Sequence, residues 1–220
     1  DASNDWAIVG GFYRLSYNYK EKYLLETNGR VDGSSKFPKN QRFGFFPSVS
    51  LGWRLSEEGF WKINKDLVSQ LKVRASYGTL GNGNISPYLF METMPVGTLT
   101  RLIGGKFPTY TKAPGVIPSS LTWEKATTLN VGFDLSMFSS RFSLIADLYQ
   151  RDTKGMFTEG ATLPEVFGTE VPKGNNADLR TRGWELAVAW NDRIGESKPF
   201  GYGVKFTIAD NQTEVTKYNN

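Results

Sequence analysis

The segment Lys22–Asn82, KYLLETNGRVDGSSKFPKNQRFGFFPSVSLGWRLSEEGFWKINKDLVSQLKVRASYGTLGN, decides the fold. Apolar and polar residues alternate through it three times. Tyr23, Leu25 and Thr27 fall on one side, and Glu26, Asn28 and Arg30 on the other. Phe43, Phe45, Val49, Leu51, Trp53 and Leu55 then oppose Arg42, Ser48, Ser50 and Arg54. Leu67, Leu71, Val73, Ala75 and Tyr77 oppose Gln70, Lys72, Arg74 and Ser76. Successive side chains of a strand point to opposite faces, so this pattern predicts antiparallel strands with one apolar and one charged face. What the apolar face meets, a soluble core or lipid, decides the function.

The same arrangement extends outward in both directions. Upstream, Val9, Tyr13, Leu15 and Tyr17 oppose Arg14, Ser16 and Asn18, and the short link YKEK predicts a tight hairpin. Downstream, Trp123, Leu129, Val131, Phe133, Leu135 and Met137 oppose Glu124, Thr128, Asn130, Asp134 and Ser136. Phe142, Leu144, Ala146 and Leu148 oppose Ser143, Asp147 and Arg151. Trp184, Leu186, Val188 and Trp190 are set against Arg182 and Glu185, and Tyr202, Val204, Phe206 and Ile208 against Lys205 and Thr207. The reading is about eight strands of roughly ten to thirteen residues, a length that crosses a bilayer with tilt.

Connections alternate in length. Short ones are expected near Tyr19, Gly59, Ser139 and Glu196, and a helical turn is expected where Ser56 precedes Glu57 and Glu58. Long ones are expected near Ser35, over Thr79–Leu121 and over Asp152–Thr181, and loops of such length are usually functional. Tyr17, Tyr23, Trp53, Phe138, Phe142, Trp190 and Phe200 gather at the short-turn ends, as an aromatic belt at a lipid–water interface would. The fold class is therefore all-β, an antiparallel up-and-down transmembrane β-barrel wall with long extracellular loops.

Composition narrows the chemistry. The 220 residues contain no Cys and no His, which excludes disulfides, thiolate sites and triads or zinc sites built on these residues. No cofactor, metal or catalytic residue is expected. The net charge of +4 is dispersed rather than gathered in a stripe, so nucleic acid is not an expected partner. No apolar run is long enough for a transmembrane helix, which leaves a barrel untouched. The chain opens on DASND, so any targeting segment is expected to have been removed or to lie outside it.

The glycine-rich GNGN at Gly81–Asn84 and GGK at Gly104–Lys106 lack the Lys-Ser/Thr of a phosphate loop and read as turns. Arg14, Arg30, Arg42, Arg54, Arg74, Glu124, Asp134, Asp147, Arg151 and Glu185 fall on the polar face and are expected to line a wide lumen, pairing with one another. Among the loop residues, Asn82, Asn84, Tyr88, Phe90, Phe107 and Tyr110 are the candidates for ligand contact. Their rings would stack on sugars while the amides bind hydroxyls; the same rings would also serve to pack the loop.

Six phrases taken together, YLLETNGRVDGSSKF, RFGFFPSVSLGWRLSEE, LKVRASYGTLGN, LTWEKATTLNVGFDL, YQRDT and GWELAVAW, resemble the SusC/RagA-type TonB-dependent outer-membrane transporters of Bacteroidetes. The resemblance covers most of the chain. It implies a barrel of roughly 22 strands closed by a plug, of which residues 1–220 would be part of the C-terminal half. Neither plug nor TonB-contacting segment is found in the chain, and its end, FTIADNQTEVTKYNN, lacks a terminal aromatic strand, so an internal fragment is expected. The partners the resemblance implies are a SusD-like surface lipoprotein, TonB–ExbB–ExbD acting through the plug, outer-membrane lipid, a glycan or peptide substrate, and a dimer of the transporter–lid complex. The localisation implied is the bacterial outer membrane. Two other readings stay open at this point: a small self-contained barrel acting as adhesin or anchor, and a secreted β-rich carbohydrate-binding or glycan-degrading protein.

Overall fold

The computed structural model describes residues 5–112, 114–118, 121–162, 164, 166, 171–194 and 200–218. Ten strands form: β1 (Ile8–Tyr19), β2 (Tyr23–Ser34), β3 (Phe43–Arg54), β4 (Val68–Asn82), β5 (Val96–Thr98), β6 (Thr109–Thr111), β7 (Glu124–Met137), β8 (Phe142–Glu159), β9 (Lys173–Ile194) and β10 (Phe200–Tyr218). Eight of them make one antiparallel sheet in the order β1-β2-β3-β4-β7-β8-β9-β10, each strand beside its neighbour in the chain. The sheet is open, because β1 and β10 each pair on one side only among the described residues. β5 and β6 form a separate small hairpin within the long connection after β4. Among the described residues no helix is long and apolar enough to cross a membrane.

Local chemistry fixes the turns at the short-connection end. Lys20 and Glu21 both take positive φ (50° and 56°) and Lys22 N donates to Tyr19 O at 3.0 Å, giving the tight turn whose twist suits a hairpin. Ser139 and Ser140 do the same between β7 and β8, where Arg141 N donates to Phe138 O at 3.2 Å. The connection after β3, expected to be short, runs over residues 55–67 and opens with a 3₁₀ turn, Leu55–Glu57, so it is longer than the link 35–42 expected to be long. The short link read near Glu196 falls on residues 195–199, outside the described residues.

The registers show how side chains line up across the wall. One outward rung reads Tyr19, Tyr23, Trp53, Val73, Phe133, Ala146, Leu186, Ile208. The next reads Tyr17, Leu25, Leu51, Ala75, Val131, Leu148, Trp184, Asp210. These side chains have no protein above them; Phe43, Leu148 and Val204 are 66–68% exposed. A soluble protein would not leave so continuous an apolar surface in water, so the outer face is built for lipid. The aromatic belt is present as stacked pairs, Tyr17–Tyr19, Tyr19–Tyr23 and Tyr23–Trp53, at centroid distances of 6.3–6.5 Å, and a tilted pair, Phe138–Trp190, at 6.1 Å.

Four further sequence expectations change. β8, β9 and β10 run 18, 22 and 19 residues, so most of the loop expected over Asp152–Thr181 is strand. Above the lipid the outward positions are free to be polar, so alternation stops while the backbone ladder continues. Trp123 is not on the lipid-facing wall; it precedes β7 and is buried, 7% exposed. Arg182 shares the outer face with Trp184 rather than opposing it, since it pairs with Gln150 in the register that pairs Trp184 with Leu148. Leu67 lies ahead of β4, where the register shifts between Val68 and Gln70.

Candidate functional site

The inward face carries charges, and several of them are paired. Arg14 donates to Glu26 at 2.6 Å, and Arg30 Nε to both carboxylate oxygens of Asp32 at 2.6 and 2.7 Å. Arg74 is the centre of the largest group: its Nε donates to Asp134 at 2.9 Å and its Nη2 to Asp147, two strands away, also at 2.9 Å. Lys72 adds a longer contact to Asp134 at 3.9 Å. The reach across β7 exists because the residue between Arg74 and Asp147 in the register is Gly132. A Cβ there would crowd the Asp147 carboxylate and the Ala146 carbonyl. Side chains of Arg74, Asp134 and Asp147 are 14–30% exposed, so these bonds form in partial shelter from water, where charge-assisted bonds keep more of their strength.

Other inward candidates take different positions. Arg151 Nε donates to Thr128 Oγ1 at 3.3 Å. Glu185 stands opposite Asp147 and Glu124 opposite Asn82. Arg54 ends β3 opposite Lys72, with its Nε buried and lacking a hydrogen-bond partner. Arg42 precedes β3; its Nε donates to Phe37 O at 3.2 Å in the base of the β2–β3 loop. Between the pairs lies an open groove of about 670 Å³ lined by Glu26, Asn28, Arg30 and Ser76 on its polar side and by Phe46 and Leu80 on its apolar side.

At the long-loop end the wall forks. β3–β4 pairing stops at Ser48–Gly78, while β2–β3 continues to Gly33–Phe43 and β4–β7 to Asn82–Glu124. The buried cluster of Phe37, Phe46, Ile85, Leu121 and Trp123 fills the fork, with Phe90 and Phe157 packed against it. Phe46 meets Trp123 edge-on at 5.4 Å and Phe37 meets it tilted at 5.0 Å. Gly81 is required, since its Cβ would lie 2.0 Å from the Phe46 ring. Polar bonds tie the cluster to its surroundings: Trp123 Nε1 donates to Arg42 O at 2.9 Å and Leu121 N to Gln41 Oε1 at 3.1 Å. Asn175 of β9 binds Thr122 twice, accepting from its N–H at 2.9 Å and donating to its carbonyl at 3.0 Å.

The loop candidates are divided by this arrangement. Asn82 Oδ1 accepts from Asn84 N at 3.0 Å, closing the turn where β4 ends. Phe90 packs on the cluster. Tyr88, in a left-handed conformation with φ 65°, donates its hydroxyl to Asp5 O at 2.8 Å. Tyr110 lies on β6 over Gly97, and Phe107, 55% exposed, lies just before it. The hairpin around these two also exposes Met94, Val96, Leu102 and Ile103. The sequence reading missed Phe46, Asn175 and Gln41. Phe46 did leave a sign: it is an aromatic in the polar phase of FGFFP.

At the opposite end, Glu58 accepts from Tyr23 Oη at 2.6 Å, Trp53 Nε1 at 3.0 Å and Lys22 Nζ at 3.1 Å. The Tyr23 bond, then those from Trp53 and Lys22, hold its carboxyl down to about 2. One acid thus ties the β1–β2 turn to the aromatic belt. Among the described residues no group of three or more His, Cys, Asp or Glu is placed to hold a metal ion.

Comparison with known proteins fits this geometry. The family profile described as "TonB dependent receptor-like, beta-barrel" matches residues 1–220. TonB-dependent receptor P26 of Formosa agariphila is 36% identical over 208 residues, covering 94% of this chain and 20% of that protein. TonB-dependent receptor SusC of Bacteroides thetaiotaomicron is 30% identical over 222 residues, covering 96% and 21%. Among solved structures, the RagAB peptide transporter superposes with a TM-score of 0.79 at 23% identity, over 97% of this chain and 23% of that one, a likeness of fold. The chain spans about a fifth of the length of these curated relatives. With its lipid-facing band, inward ion pairs and asymmetric loops, it belongs to the TonB-dependent receptor-like β-barrel family of the bacterial outer membrane.

Proposed function

We propose that this chain is the wall of an energy-coupled importer, working with no catalysis of its own. The observation that supports this most is the division of labour across one sheet. Its outer face is apolar through its lower rungs, while its inner face has paired charges beside an open groove of about 670 Å³. Self-paired charge is the lining a wide aqueous passage needs. It stays wetted, yet presents no strong field of one sign to trap a solute or exclude it. Substrate would enter at the long-loop end and leave past a plug moved by TonB–ExbB–ExbD.

The substrate class in this reading is an oligosaccharide, which the resemblance to SusC-type transporters implies, or a peptide, which the name of the RagAB peptide transporter suggests. A SusD-like surface lipoprotein is the lid. The exposed apolar hairpin of β5 and β6, with Met94, Val96, Leu102 and Ile103, is the surface it would cover, within a dimer of transporter–lid pairs. Phe107, Tyr110 and Tyr88 present rings to ligand, and Asn84 an amide. Asn82 and Phe90 hold the turn and the cluster behind them.

The test is uptake of labelled oligosaccharide and peptide pools by cells carrying the full-length gene. Uptake that requires both TonB and the proton-motive force supports the reading; uptake indifferent to TonB overturns it. Phe107→Ala with Tyr110→Ala should weaken substrate capture about tenfold, in line with about 1.4 kcal/mol per decade.

A further inference from the structure

The outer face stops being apolar too soon on one side of the sheet. Along β3 the apolar outward series runs from Trp53 to Phe43. On β8 it runs only from Phe142 to Leu148, and on β9 only from Trp190 to Trp184. The lower edge of the band steps down from Trp53 on β3 to Phe142 on β8. That is four residues, or about 14 Å at roughly 3.4 Å per residue, across three strand spacings of about 4.8 Å. The drop falls within β4 and β7, since Tyr19, Tyr23 and Trp53 share one rung and Met137, Phe142 and Trp190 another. Carried up from that edge, a band as tall as the one on β3 would reach Asp152 on β8 and Arg180 on β9.

The outward residues in those last rungs are charged or polar instead. Arg182 Nε donates to Gln150 Oε1 at 2.9 Å, Gln150 Nε2 to Asp152 Oδ2 at 3.0 Å, and Arg180 Nε to Asp152 Oδ1 at 2.6 Å. Glu214 stands opposite Arg180. One rung higher, at headgroup level, Lys125 of β7 and Lys154 of β8 face each other directly. Like charges opposed across a pair are unfavourable unless something anionic lies between or above them. Lys125 joins no ion pair among the described residues, and Arg182 has a neutral amide for a partner. Asp178 stands beside Lys154 in the outward phase of β9, with Lys217 opposite it, so five outward cations face three outward acids, Asp152, Asp178 and Glu214, at this level.

We infer that the outer face of β7–β9 binds the phosphate of an anionic outer-leaflet lipid, held by Lys125, Lys154 and Arg182. Arg180 is tied to Asp152, and the Gln150–Asp152 chain holds both arginines upright. The acyl chains lie on Leu148, Trp184 and Val131 below. This explains why polar side chains occupy outward positions here: a phosphorylated sugar headgroup, rather than hydrocarbon, covers them.

The full-length transporter in phosphatidylcholine nanodiscs, with monophosphoryl lipid A as probe, tests this by native mass spectrometry. One retained lipid A per chain is expected. Lys125→Gln, Lys154→Gln and Arg182→Gln together should weaken retention about 100-fold, at about 1 kcal/mol per cation near a charged surface. The conservative set Lys125→Arg, Lys154→Arg and Arg182→Lys should retain it. If the triple variant does not assemble, Lys125→Gln alone carries the test at about fivefold. Equal retention by the triple Gln variant overturns the inference, as does equal binding of dephosphorylated lipid A. Full displacement by millimolar inorganic phosphate would assign the site to a free ion. Dissociation of an oligomer by the triple variant, with lipid retention unchanged, would assign the face to a protein neighbour. Either result also overturns the inference.

Discussion

The two flanks of this wall solve the same boundary problem differently. On β1–β3 the outward residues stay apolar to the top, ending in Val9, Phe43 and Phe45, and the polar rim begins only with the loop. On β8–β10 the outward residues become polar part-way, while the strands continue to Glu159, Lys173 and Tyr218. Strand length and lipid contact are thus separate properties. Backbone pairing persists wherever a neighbouring strand is available, whereas outward polarity tracks what lies outside the wall.

The largest expected effect comes from breaking the seam between the flanks. Trp123→Ala or Phe46→Ala opens a cavity in the buried cluster at the fork, and should cost about 3–5 kcal/mol in detergent-solubilised unfolding. A loss as small as that of an exposed aromatic would mean the flanks hold together without it. A sharper test uses two positions of one rung. Val49 on β3 and Arg182 on β9 lie in the same register line, Val49–Tyr77–Leu129–Gln150–Arg182. Val49→Arg should cost about 2–4 kcal/mol, as a charge near the bilayer midplane does, whereas Arg182→Leu should change stability little. Equal costs at the two sites would erase the stepped boundary.

Arg74 joins the flanks on the inner face. Arg74→Met leaves Asp134 and Asp147 side by side without their shared cation, and should cost about 1–3 kcal/mol by chemical denaturation. A double variant adding Asp147→Asn should recover part of it, since one repulsion is removed. The smallest effect is at the turn end of the β1–β3 flank. Glu58 is held down to about 2 from its ordinary 4.5, so its contribution is complete above pH 4.5 and is lost as pH falls toward 2. Unfolding of Glu58→Gln, compared with the parent over that window, should be flatter with pH; parallel curves would remove the node.

Much of the wall is legible in the sequence because lipid enforces it. Every outward position between Trp53 and Val49, or Phe142 and Leu148, must be apolar, and period-two alternation records that constraint directly. Arg74, Asp134 and Asp147 read from the sequence as charges of the polar face, although their union through Gly132 does not. The fork was not readable. Phe46, Gly81, Leu121 and Trp123 come from segments with no common period, and their meeting depends on where β3 and β4 part. The upper halves of β8 and β9 read as loop because alternation marks the lipid, and there it ends. Charge groups Arg182 with Glu185, whereas counting parity from Trp184 puts it on the outer face.

The seal in the fork also orders assembly. Trp123 reaches Arg42 across 81 residues and Leu121 reaches Gln41 across 80, while Asn175 must arrive from a further strand to fix Thr122. Hairpin neighbours such as Tyr19 and Tyr23 meet almost at once, but contacts of this separation wait on slow loop closure. A chain leaving the membrane-insertion machinery strand by strand would carry an open notch at β3–β4 until β9 is in place. During that interval the rings of Phe37 and Phe46 are uncovered, which makes this notch the stretch most in need of a chaperone's protection.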